Sequence, residues 1–121
     1  MRIRALLGGA LFMIALPAGA GDKLAMRVSP AFSYEPANLT IQLSIEPDSD
    51  NRAIRIVTES EEFYRSSEVE LDADRAPRTS VFRYRSVPAG DYEVRSVLLG
   101  PRGQERAMVS QTATVLGAGG R

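Results

Sequence analysis

Leu39-Thr40-Ile41-Gln42-Leu43-Ser44-Ile45-Glu46 alternates apolar and polar residues without a break over eight positions. A period of two puts every aliphatic side chain on one side of an extended chain and every polar one on the other, so the stretch predicts a strand with one dry face. A helix would scatter the same side chains around its circumference. A strand that is dry on one side needs a second layer to cover it, and the pattern recurs along the chain to supply one. Leu24, Met26 and Val28 alternate with Ala25 and Arg27 before Pro30 stops the run. Ala31 to Ala37 reads as a loop. After the turn residues Pro47-Asp48-Ser49-Asp50-Asn51 come the β-branched run Ala53 to Thr58, then Glu68 to Asp72, then Ser80 to Tyr84. Pro88-Ala89-Gly90 leads into Asp91 to Leu99, and Gly100-Pro101-Arg102-Gly103 into Ala107 to Val115.

About seven strands separated by turn signals, with no segment of helical period, predict an all-β fold: an antiparallel β-sandwich. The expected core is Leu24, Met26, Val28, Leu39, Ile41, Leu43, Ile45, Ile54, Ile56, Phe82, Tyr92, Val94, Val109 and Val115, with Tyr84 turned inward as well. Glu68 to Asp72 and Ser80 to Tyr84 are expected to form a hairpin. That would set the acidic row Glu68, Glu70, Asp72 and Asp74 across from Arg83 and Arg85, with register control as its main consequence and a charged binding face as the alternative.

The stretch Pro88-Ala89-Gly90-Asp91-Tyr92-Glu93-Val94 resembles the start of the sixth strand in immunoglobulin-like and fibronectin type III-like domains. In those domains a corner tyrosine sits two positions before a buried residue. The resemblance implies that Tyr92 is a structural tyrosine corner and Val94 its buried neighbour. The same stretch is similar to the end of the repeat in carboxypeptidase-regulatory-like and transthyretin-like sandwiches. The third strand has no tryptophan and the chain has no cysteine pair, which sets it apart from antibody domains.

The N-terminus reads as an export signal. Arg2 and Arg4 form a basic start, Ala5 to Leu16 an apolar stretch, and Ala18-Gly19-Ala20 a small-residue cleavage site, so residues 1–20 are expected to be a cleaved leader. The uncharged run from Ala5 to Gly21 is about seventeen residues long, interrupted by glycines and Pro17, and short for a membrane span. A periplasmic or secreted location follows, with a sandwich domain over residues 21–116 and a disordered tail over 117–121. No stable membrane insertion is expected after cleavage.

The whole chain balances fifteen basic against fifteen acidic residues, and Arg2 and Arg4 would leave with the leader. The small negative remainder favours neither nucleic acid nor an anionic membrane surface as a partner. The chain has no histidine and no cysteine. That removes Ser-His-Asp and Cys-His nucleophiles and the usual zinc ligands. No cofactor is expected, and a sandwich of this length offers little room for a two-carboxylate cleft. The chain is therefore expected not to be an enzyme.

Two segments carry candidate sites. In Glu59-Ser60-Glu61-Glu62-Phe63-Tyr64-Arg65-Ser66-Ser67, two adjacent aromatics stand among charges in an expected connection between sheets. Phe63 and Tyr64 cannot both face inward on an extended chain, so Phe63, Tyr64 and Arg65 are the candidate partner-binding residues. The alternative is that Phe63 caps the core and Tyr64 lies on the surface. Glu46, Asp48 and Asp50 gather carboxylates on one turn and are the candidate calcium ligands. That loop lacks the glycine and distal glutamate of an EF-hand, and local side-chain to backbone bonding accounts equally for its composition.

The function these readings favour is a non-catalytic binding or accessory module for a protein or cell-envelope component. The alternative is a structural subunit that assembles with its own copies or a larger complex, its oligomeric state open. A calcium-dependent carbohydrate binder or a small enzyme is the reading the residue inventory disfavours.

Overall fold

Ile41 sits between Val28 on one neighbouring strand and Phe82 on the other, and this row shows how the chain is assembled. The computed structural model describes residues 18–20 and 23–117. Among the described residues there are nine strands: β1 (Ala18–Ala20), β2 (Leu24–Ser29), β3 (Phe32–Tyr34), β4 (Ala37–Ile45), β5 (Ala53–Ser60), β6 (Phe63–Glu70), β7 (Thr79–Val87), β8 (Gly90–Leu99) and β9 (Glu105–Leu116). Helical structure among the described residues is confined to one 3-10 turn, Ala73–Arg75. The strands form two sheets, a four-stranded one ordered β1-β2-β4-β7 and a five-stranded one ordered β3-β9-β8-β5-β6.

The alternating segments deliver their aliphatic faces to the space between the sheets. Leu39, Ile41, Leu43 and Ile45 from β4 meet Leu24, Met26 and Val28 from β2, and Ile54, Ile56, Val94, Leu98, Val109 and Val115 from the opposite sheet. Each such side chain, fully buried, contributes about 1.5–3 kcal/mol. Of the expected core only Phe82 is partly exposed, since it lies on the outermost strand of its sheet, whereas Tyr84 is buried. Ala37, Val87, Leu98, Ala107 and Ala113 join the core without having been expected there.

The two additional strands are short. Pro30 and Pro36, each after a cis peptide bond, bracket β3, which crosses to the other sheet and runs parallel to β9. Ala31 accepts from Thr114 N–H and Leu116 from Glu35 N–H, both at 2.8 Å. The expected loop over residues 31–37 thus holds a strand too brief to show a period. Ala18–Ala20, expected as the end of the leader, pairs with Leu24 to Met26 as β1. Residues 1–17 of the expected leader and 118–121 of the expected tail lie outside the described residues. Farther along β2, Gln111 Oε1 accepts the Val28 N–H at 3.0 Å.

The expected hairpin between Glu68–Asp72 and Ser80–Tyr84 does not form. β6 pairs with β5, and β7 pairs with β4 in the other sheet. Burial decides this: Leu39 and Ile41 need Tyr84 and Phe82 beside them. Facing charges on exposed strands contribute only ~0.2–1 kcal/mol. Glu68 instead pairs with Arg55 at 3.3 Å, and Asp72 with Arg75 at 3.6 Å.

Tyr92 occupies the corner. Its hydroxyl donates to the Pro88 carbonyl oxygen at 2.6 Å, bracing the turn four residues upstream. Burial raises the phenol above its ordinary value; the carboxylates of Glu35 and Glu62 push the same way and the Ser60 hydroxyl opposes them. A raised value means the protonated phenol stabilises the fold fully below pH ~10, with that stability lost as pH rises through the folded value. Tyr92→Phe is expected to lower unfolding free energy by about 0.5–1.5 kcal/mol at neutral pH in denaturant titrations. The variant should also remove this residue's share of the alkaline loss, and an unchanged alkaline profile would contradict the assignment.

Candidate functional site

Glu59 to Ser67 does not connect the sheets. It is a hairpin within the five-stranded sheet, β5 turning into β6 at Glu61-Glu62 with Ser60 opposite Phe63. Alternation along β6 follows from its partners. Val69, Ser67 and Arg65 stand opposite Ile54, Ile56 and Thr58, which are buried, so Phe63, Arg65, Ser67 and Val69 face inward. Tyr64, Ser66, Glu68 and Glu70 face outward.

The three candidate partner-binding residues therefore separate. Phe63 packs edge-on against Tyr92, ring centroids 5.5 Å apart at 70°, and tilted against Tyr84 at 6.3 Å. Tyr64 points away and is 67% exposed. The Arg65 guanidinium lies 5.6 Å from the Phe63 ring centre and 5.4 Å from that of Tyr84, closing the seam between the sheets with its charge over two aromatic faces. Beneath this seam Tyr84 Oη and Thr58 Oγ1 are buried without a hydrogen-bond partner. Phe63 and Arg65 act together as a lid on the core, and Tyr64 stands apart from them.

The candidate calcium ligands also serve the fold. Asp48 Oδ1 accepts the Asp50 N–H at 2.8 Å, and Asp48 Oδ2 lies 3.4 Å from the Arg106 guanidinium. The same guanidinium donates to Asn51 Oδ1, while the Asn51 amide donates to the Glu46 carbonyl at 3.0 Å. Asn51 is fully buried by this arrangement. The Asp50 N–H, followed by Arg106, holds the Asp48 carboxyl below its ordinary value. Among the described residues no group of three acidic side chains is placed to hold a metal ion.

One surface feature escaped the sequence reading. Phe32 and Tyr34 alternate on β3 and both face outward, 63% and 67% exposed. Tyr34 stands opposite Leu116 of β9, itself 44% exposed, so two aromatic rings and an aliphatic side chain share one outer corner of the five-stranded sheet. The clue was Phe-Ser-Tyr between two prolines, a period-two fragment three residues long.

No family model matches the chain. No curated protein matches it either. Solved structures do resemble it. Superoxide reductase (neelaredoxin) from Ignicoccus hospitalis superposes with a TM-score of 0.55 at 11% identity, over 82% of this chain and 82% of the reductase. A substituted form of that protein gives 0.60 at 10% identity, over 79% and 82%. A family 76 glycoside hydrolase from a bovine Bacteroides thetaiotaomicron strain gives 0.54 at 17% identity over 83% of this chain, which spans 20% of that hydrolase. The expectation that the chain is not an enzyme is corrected here. The superoxide reductases are enzymes of matching fold and similar extent, so neither chain length nor sandwich architecture argues against catalysis. What the chain shares with these proteins is an all-β fold of two packed sheets.

Asp48 stabilises the fold above its ordinary value, and that stability is lost as pH falls through the lowered one. Asp48→Asn is expected to flatten the acid limb of a stability-against-pH curve. Calcium at ~1 mM is expected to leave the melting temperature of the unsubstituted protein unchanged, because Asp48 is already engaged; an upward shift would restore the turn as a cation site.

Proposed function

We propose that this chain is a secreted or periplasmic binding module of immunoglobulin-like type, which recognises a protein or cell-envelope component through the aromatic corner of β3 and β9. The exposure of Phe32 and Tyr34 on one face, beside Leu116, is the observation that carries this reading. Exposed rings grouped with an aliphatic neighbour have no role in the core, and aromatic side chains dominate the energetics of recognition surfaces. β3 is an outermost strand, so the corner is open to a partner from the side as well as from above.

The immunoglobulin-like assignment is supported by the strand order β2-β4-β7 packed on β9-β8-β5-β6, which corresponds to strands A, B and E facing G, F, C and C′. The Tyr92 to Pro88 bond adds the corner tyrosine. Export is supported by the basic, apolar and small-residue order of residues 1–20. An accessory role is supported by the likeness to one fifth of a glycoside hydrolase, a sandwich of this kind inside a larger protein.

The test is capture from a solubilised envelope fraction on immobilised protein. The double substitution Phe32→Ser with Tyr34→Ser should weaken capture by about tenfold or more while leaving the melting temperature within a few degrees of the original. Undiminished capture by the double variant would overturn the assignment of this corner.

A further inference from the structure

We propose that the outer face of the four-stranded sheet is a docking surface for an anionic lipid bilayer. The observation is a segregation of charge that the near-zero total conceals. Outward positions follow from the register: Arg27 lies beside Gln42, which lies beside Val81, and Thr40 lies beside Arg83. The outward residues of β2, β4 and β7 thus include Arg27, Arg83 and Arg85, set among Ala25, Asn38, Thr40, Gln42, Ser44 and Thr79. No acidic residue occurs in any strand of this sheet. The five-stranded sheet instead mixes signs: its outer face carries Glu59, Glu68 and Glu93, paired with Arg55 and Arg95.

Arg27, Arg83 and Arg85 are exposed, and among the described residues no ion pair or side-chain hydrogen bond engages them. Three guanidinium groups on one face whose strands hold no acidic residue repel one another mildly. Their spacing follows from sheet geometry: Arg83 and Arg85 are about 7 Å apart along β7, and Arg27 lies two strands away, roughly 10 Å across. Arginine forks match phosphate oxygens, and forks at this spacing on a broad sheet face suit a planar array of phosphates better than a single polymer seated in a groove. A shallow depression lined by Ala25, Arg27, Gln42 and Ser44 adds an amide and a hydroxyl donor beside Arg27. Among the described residues the face has one large outward aliphatic side chain, Val81, so contact would be electrostatic and superficial, without insertion.

This surface is on the opposite sheet from the aromatic corner and does not depend on it. The test is flotation of the protein with vesicles of phosphatidylcholine alone or with ~30% phosphatidylglycerol. Binding is expected only to the anionic vesicles, with release as salt rises from ~0.05 to ~0.5 M. Arg27→Glu, Arg83→Glu and Arg85→Glu together should weaken partitioning on the order of 100-fold, while Arg55→Glu on the other face leaves it unchanged. Gln substitutions at the same three positions, milder for folding, should give a smaller loss in the same direction. No binding to anionic vesicles, equal loss from Arg55→Glu, or salt-insensitive binding would each overturn the proposal; lost capture by the aromatic-corner variant would not affect it.

Discussion

The burial of one face of β4 against two neighbours and an opposing sheet organises this molecule. β4 is central in its sheet, so Leu39, Ile41, Leu43 and Ile45 are flanked on both sides and covered from below, and all four are essentially inaccessible to water. Because side chains alternate, fixing that face inward also fixes Thr40, Gln42 and Ser44 outward. A slip of one residue would exchange the two sets, at a cost far larger than any charge pair on the surface can offset. Strand partners, outward rows and the position of the Tyr92 corner all follow from this constraint.

The same constraint explains what was legible in the sequence. β2 and β4 bury one face and announce themselves by period two, β5 by its β-branched run, and β8 and β9 by the turns that precede them. β6 was legible only at its end, where Glu68 to Asp72 alternate, because it is the last strand of its sheet. Phe63, Arg65, Ser67 and Val69 face inward at a margin where a guanidinium and a hydroxyl are tolerated, so polar residues fall on both sides and the period is blurred. β3 is hidden for a different reason: three residues between prolines cannot display a repeat, and its parallel pairing with β9 is a long-range contact with no local signature. The β6–β7 hairpin was inferred from two alternating segments with a turn between them, and the facing charges it would have made are a weak force against the burial of Phe82 and Tyr84 beside β4.

The candidate sites divide in the same way. Alternation alone separates Phe63 from Tyr64, but the position of Arg65 over two rings depends on Tyr84, which arrives from the other sheet. The Asp48 turn could be read as local hydrogen bonding, whereas Arg106, its distant partner, could not be read at all. Net charge was the least informative quantity, since opposite faces of one sandwich cancel in the sum. Strand membership had to be known before the cations of β2 and β7 could be seen as neighbours.

Arg65 has one more consequence. β6 and β7 both end their sheets on the side of the molecule where Phe63 approaches Tyr84, leaving two unsatisfied backbone ladders next to each other. Another molecule could in principle extend either ladder, and repetition would yield a fibre. A newcomer at β6 would have to cover an inward-pointing guanidinium and strip its water, which costs free energy. The residue that seals the aromatic seam thus also sets a charge against the addition of a strand at that border.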